Sequence, residues 1–154
     1  MSTFSESIVI SAPLFRVWNT LADIGRIHEW NPGVVASSKT TPGEDGIGAS
    51  RHCELGGKHY LDEEVVEWEP QGALTMRITA TSLPLESADI RFTLVGHGHR
   101  TTVTVSPTYS VKFAWIGHVL DRVAVRSQYR RGMARLLRGL KQHIEGRPAT
   151  ESSE

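Results

Sequence analysis

Phe4, Ile8 and Ile10 fall on one side of a period-two pattern and Ser5, Ser7 and Ser11 on the other, which predicts a half-buried strand at the start of the chain. Ser11-Ala12-Pro13 reads as a helix start, with the serine as cap and the proline close to the first turn. Val17, Trp18, Leu21 and Ile24 continue at helical spacing. A break at Asp23 leads into a second short helix that Pro32 stops. From Val34 to Phe113 strand follows strand, with turn chemistry at Thr41–Gly46, Gly56-Gly57, Glu69–Gly72 and Gly96–His99. Leu74, Met76, Ile78 and Ala80 alternate with Thr75, Arg77 and Thr79. Ile90, Phe92 and Leu94 alternate with Asp89, Arg91 and Thr93, and Val103 and Val105 with Thr102, Thr104 and Ser106. One apolar and one polar face per strand is the mark of an antiparallel sheet with one face in water, here of about seven strands.

Residues 116–145 then read as one long helix. Its second half carries an apolar stripe of Tyr129, Met133, Leu136, Leu137, Leu140 and Ile144, with Gly146 and Pro148 as stop signals. A sheet with one apolar face must cover it, and this helix is the one element long enough to do so. The predicted architecture is α+β: a curved antiparallel sheet around a C-terminal helix, with two short helices after the first strand. A single helix rarely fills so wide a face, so a cavity between the two is expected. Residues 1–146 read as a single ligand-binding domain and the polar residues 147–154 as a flexible tail.

Composition narrows the function classes. At 154 residues the chain is expected to be one domain. Seventeen basic residues balance seventeen acidic ones, which argues against a generic nucleic-acid binder. One cysteine excludes a disulfide framework and a Cys-rich zinc site. No apolar run suits a membrane span, and the first residues lack the basic and apolar regions of a secretory signal, so a cytoplasmic protein without stable membrane insertion is expected.

The order of elements, with Ile8-x-Ile10-x-Ala12-Pro13-x-x-x-Val17-Trp18, Trp30-x-Pro32, and Glu63-x-Val65 leading to Glu69-Pro70 and Leu74, resembles the START-like (SRPBCC) superfamily, in its polyketide cyclase/dehydrase-like branch. The resemblance spans about residues 3–145. It implies the helix-grip fold and an apolar cavity under the long helix. It also implies a small hydrophobic ligand, aromatic or polyketide-like, bound with or without cyclisation or dehydration. The superfamily brings no invariant catalytic set.

Phosphate-loop, dinucleotide and Gly-x-Ser-x-Gly patterns are missing, so neither a cofactor nor hydrolase chemistry is expected. Seven histidines fall mostly in or beside turns and complete no three-ligand set in sequence, so no metal is expected. Glu63 shares a face with Leu61 and Val65, and Arg51 with Ala49, Cys53 and Leu55. Facing inward, the two can pair across the hairpin and serve for polar ligand contact or acid–base work. In the opposite phase Val66 and Trp68 face inward instead. Cys53 reads as a small buried hydrophobe. Trp30 and Asn31 close the short helix, either packing it or forming the cavity lip. Trp30, Tyr60, Tyr109 and Phe113 are candidate mouth residues, and Glu63, Tyr60 and Tyr109 candidate acids or bases. Val65, Met76, Ile78 and Phe92 are expected on the cavity wall, with Val119, Val123 and Arg126 facing it from the helix. Residues 118–150 hold eight basic residues against Asp121 and Glu145. Arg131, Arg135 and Arg138 oppose the apolar stripe. The competing reading is therefore an interaction module or lipid carrier working through this basic face, and under either reading a monomer or homodimer is expected.

Overall fold

The computed structural model describes residues 2–112 and 119–146, with side chains from residue 124 onward in the second stretch. Phe113, the expected helix start at Ile116, the side chains of Val119 and Val123, and the tail 147–154 lie outside the described residues.

Eight antiparallel strands form one sheet: β1 (Ser2–Thr3), β2 (Glu6–Ile10), β3 (Ala36–Lys39), β4 (Ser50–Gly56), β5 (His59–Glu69), β6 (Ala73–Thr81), β7 (Leu85–His97) and β8 (Arg100–Val111). They lie in the order β1-β8-β7-β6-β5-β4-β3, with β2 also on β8. The count exceeds seven because the first strand is interrupted. Thr3 faces Thr108 and Glu6 faces Val105, so β1 and β2 share one register on β8. The gap at Phe4–Ser5 falls opposite Pro107 and Ser106, and a proline has no N–H to offer the ladder.

Helix α1 (Leu14–Ala22) buries Val17, Trp18, Leu21 and Ala22, and a 3-10 helix (Ile24–Glu29) buries Ile24 and Ile27. Ser11 does not cap α1. Pro13 holds the cap position without a side-chain hydrogen bond, and the Ser11 N–H donates instead to Glu145 Oε2 at 2.7 Å. Helix α2 (Val119–Gly146) crosses the concave face. Its Met133, Leu136, Leu137, Leu140 and Ile144 join one core cluster with Leu74, Met76, Ile90, Phe92, Val103 and Val105 from the sheet.

The C-terminal end of α2 is tied down by polar contacts. Lys141 Nζ donates to Val9 O and to Glu145 Oε2, both at 2.7 Å, and Arg16 reaches Ile144 O at 3.1 Å. Burial pushes the Glu145 carboxyl up, but the hydrogen bonds from Lys141 and Ser11 outweigh it and hold the group below its ordinary range. Gly139 is the point of closest approach. A Cβ there would lie 2.1 Å from Trp30 O and 2.9 Å from Pro32 Cδ, so only glycine lets α2 sit against residues 30–32.

Candidate functional site

Two irregularities in the β5–β6 pairing decide which side chains face the helix. Leu61, Glu63 and Val65 pair with Thr81, Ile78 and Met76, while Asp62 pairs with Ala80 and Glu64 with Arg77. A bulge between Val65 and Glu67 then shifts the phase, so that Trp68 pairs with Leu74 on the inner face. Glu63 and Val65 thus face inward before the bulge and Trp68 after it, with Val66 the extra residue between them. Trp68 packs edge-on to Trp18 at 5.1 Å between ring centroids. A second irregularity, between Asp62 and Glu63, turns Ala80 outward, and it is exposed rather than on the apolar face.

Because Arg51 pairs with Glu63 across the β4–β5 hairpin, the two side chains meet on the inner face. Arg51 Nε donates to Glu63 Oε1 at 2.9 Å, and its Nη1 donates to Ile24 O at 3.1 Å. They are 5% and 2% exposed, so this is a buried ion pair whose backbone partner comes from the 3-10 helix. Cys53 stands beside it, its Sγ 4.0 Å from Glu63 Oε1. Burial pushes that thiol up to about 12, against the pull of Arg51, so it stays protonated and is a poor nucleophile.

These residues form the floor of a cavity of about 370 Å³ under the middle of α2, from Val125 to Leu136. Ile27, Ile90, Phe92, Met133 and Leu136 complete the buried wall. Half-buried or exposed lining residues mark its open side: Asn31 and Gly33, Leu55 and Leu61, the β6–β7 loop at Leu83-Pro84, and Val125 and Gln128 on α2. Gly132 faces the space, and a Cβ built on it meets nothing within 4 Å. Tyr129 also lines it. Burial first, then the Glu63 charge, holds its phenol well above the ordinary value of 10.

Of the site residues expected from sequence, Asn31, Arg51, Cys53, Glu63, Ile78 and Phe92 lie together on this wall. Val65 and Met76 are sealed in the core, 1% and 0% exposed, and are not among the lining residues. Trp30 is 5% exposed and packs in the core rather than forming a lip. Tyr60 is on the convex face, stacked on His52 with centroids 5.8 Å apart. It is one residue from Leu61, and strand neighbours point to opposite faces. Tyr109 is 2% exposed and sits behind Tyr129, centroids 4.7 Å apart, without lining the cavity. Arg126 does not face the cavity. It is exposed, donates to Thr3 O at 3.3 Å and lies over the Phe4 ring. Arg131, Arg135 and Arg138 are exposed as well.

Gly132, Gln128 and Tyr129 were not legible as site residues. The helix pattern placed Tyr129 in the core stripe, and a lone helical glycine carries no sign of what it faces. Among the described residues no group of three His, Cys, Asp or Glu is arranged to hold a metal ion. No described helix is long and apolar enough to cross a membrane.

Several solved structures share the fold at low identity. The Zhui aromatase/cyclase from Streptomyces sp. R1128 superposes with a TM-score of 0.82 at 13% identity, over 95% of this chain and 94% of its own. A START superfamily protein from Mycobacterium smegmatis gives 0.75 at 16%, over 94% and 97%. The protein XoxI from Bacillus cereus gives 0.76 at 17%, over 94% and 96%. No curated protein matches the chain by sequence. Residues 1–145 match the family described as polyketide cyclase / dehydrase and lipid transport, and the chain belongs to that family.

Proposed function

We propose that the chain binds a small, largely apolar, ring-containing molecule in the cavity between the sheet and α2. The observation that carries this reading is the cavity itself: about 370 Å³, walled by aliphatic and aromatic side chains, with one hydrogen-bonded ion pair on its floor. Ligand sites are commonly of this size and makeup, apolar with a few convergent polar groups. The family description, with its cyclases, dehydrases and lipid transport, accords with an apolar guest. So does a structural relative named an aromatase/cyclase. Where turnover accompanies binding, we assign the acid–base role to Glu63, the carboxylate on the cavity wall. Tyr60 and Tyr109 receive none.

Gly132 supplies the test. Gly132→Leu places a branched side chain in the open space, and replacing a helical glycine by leucine favours the helix by roughly 0.5–1 kcal/mol. The variant is expected to keep or raise its melting temperature while losing uptake of a neutral two-ring probe such as 2-methylnaphthalene in equilibrium dialysis. Equal uptake by Gly132→Leu and the parent protein would move the binding site elsewhere.

A further inference from the structure

Arg51 and Glu63 are the charged residues among those lining the cavity, and each cancels the other. Each keeps hydrogen-bonding capacity to spare. Arg51 spends Nε on Glu63 Oε1 and Nη1 on Ile24 O. Oε1 is thus taken, while Oε2 makes no hydrogen bond to any described residue. Arg51 Nη2 likewise makes no hydrogen bond to any described residue, and neither atom is the sealed and partnerless one among the described residues, which is Trp30 Nε1. With both residues lining the cavity, the pair offers a guest one acceptor, Oε2, and one donor, Nη2.

From this we infer that the cavity selects a neutral guest carrying a hydroxyl, an alcohol or a phenol, whose O–H donates to Glu63 Oε2, and that it rejects the matching carboxylate and ammonium. The inference rests on the cavity being the binding site. A hydroxyl leaves the buried charge at zero and gives Oε2 its donor. A carboxylate can meet Arg51 Nη2, but it sets a second negative charge against Glu63 and buries a net charge. An ammonium satisfies Oε2 but leaves a net positive charge beside Arg51. A hydrocarbon leaves Oε2 without a donor. Tyr129 and Cys53 add no charge, both being held protonated by burial.

The experiment is equilibrium dialysis of four compounds that share one ring system: 2-methylnaphthalene, 2-naphthalenemethanol, 2-naphthoate and 2-naphthylmethylammonium. The alcohol is expected to bind roughly tenfold or more tighter than the methyl compound, the scale of a hydrogen bond to a charged group. Both ions are expected to bind at least about tenfold more weakly than the alcohol. Glu63→Gln leaves the Arg51 charge uncompensated, and the order should shift toward 2-naphthoate. That variant strands a buried cation and can fail to fold, so the deciding variant is Arg51→Met with Glu63→Met. Replacing a buried ion pair by apolar residues of similar volume is often tolerated. The double variant should keep the methyl compound and lose the advantage of the alcohol. If the alcohol keeps its advantage there, or if 2-naphthoate matches it in the parent protein, the inference is overturned. If none of the four binds the parent protein, the cavity reading falls and this inference with it. If the methyl compound binds and the alcohol gains nothing, the cavity reading stands and the inference alone falls.

Discussion

Leu137 is 2% exposed in the core cluster that joins α2 to the sheet. Leu137→Ala is expected to cost about 2–5 kcal/mol, the range for a buried leucine whose surroundings close only partly around the gap. Urea unfolding measures it, and a loss below about 0.5 kcal/mol would mean a surface position. His52 shows a different effect on the convex face. Its Nε2 lies 2.8 Å from Glu54 Oε1 and its Nδ1 2.5 Å from Asp62 Oδ1. The hydrogen bonds to Glu54 and Asp62 raise it above its ordinary 6.5. A group raised on folding contributes stability that is full below the unfolded value and is lost as the pH climbs through the folded one. The parent protein should therefore exceed His52→Gln in stability at pH 5.5 and lose that margin by pH 9. A margin that grows with pH would contradict the contact. Arg51 and Glu63 were legible as a pair because residues two apart on a strand share a face and the hairpin sets them opposite. Tyr60 was mislaid among the mouth residues by setting aside that same parity.

Helix α2 depends on one residue that the pattern of apolar positions does not mark. Gly139 lies between Arg138 and Leu140, and a Cβ there would collide with the Trp30 carbonyl oxygen, which is backbone and cannot swing aside. Gly139→Ala should cost about 1–3 kcal/mol by forcing α2 off residues 30–32, outweighing the gain in helix propensity. Gly132→Ala is the control, since its Cβ meets nothing, and it should be neutral or stabilising. Chemical denaturation of the two variants separates the cases, and equal behaviour would refute the close approach. The strands carry a comparable lesson. Periodicity located them, but the bulges between β5 and β6 turned Ala80 outward and Trp68 inward. A bulge is a mismatch between two strands, so neither strand alone announces it.

At the scale of the whole molecule, the fold is one that leaves space. The sheet is wider than a single helix can fill, and the shortfall collects beside Gly132 as the cavity over Arg51 and Glu63. A guest there binds the folded chain and not the unfolded one. At a hundred times its dissociation constant it should add about 2.7 kcal/mol. That corresponds to a rise of roughly 5–10 °C in melting temperature for a chain of this length. Thermal unfolding with 2-naphthalenemethanol measures it, and an unchanged midpoint at saturation would contradict binding to the native state. By itself the sequence determined the order of strands and helices, the helix-grip architecture and the placing of Glu63 opposite Arg51 across the hairpin, while their inward facing came from the tertiary structure. Those follow from local periodicity, turn chemistry and the need to cover an apolar face. The tertiary structure alone decided which helix residues border the cavity, that Arg126 turns to Thr3 and Phe4, that Trp30 and Tyr109 are sealed in the core, and that Gly139 sets the seat of α2. Each of these depends on the rotation and depth at which the helix docks, fixed by contacts between residues more than a hundred positions apart.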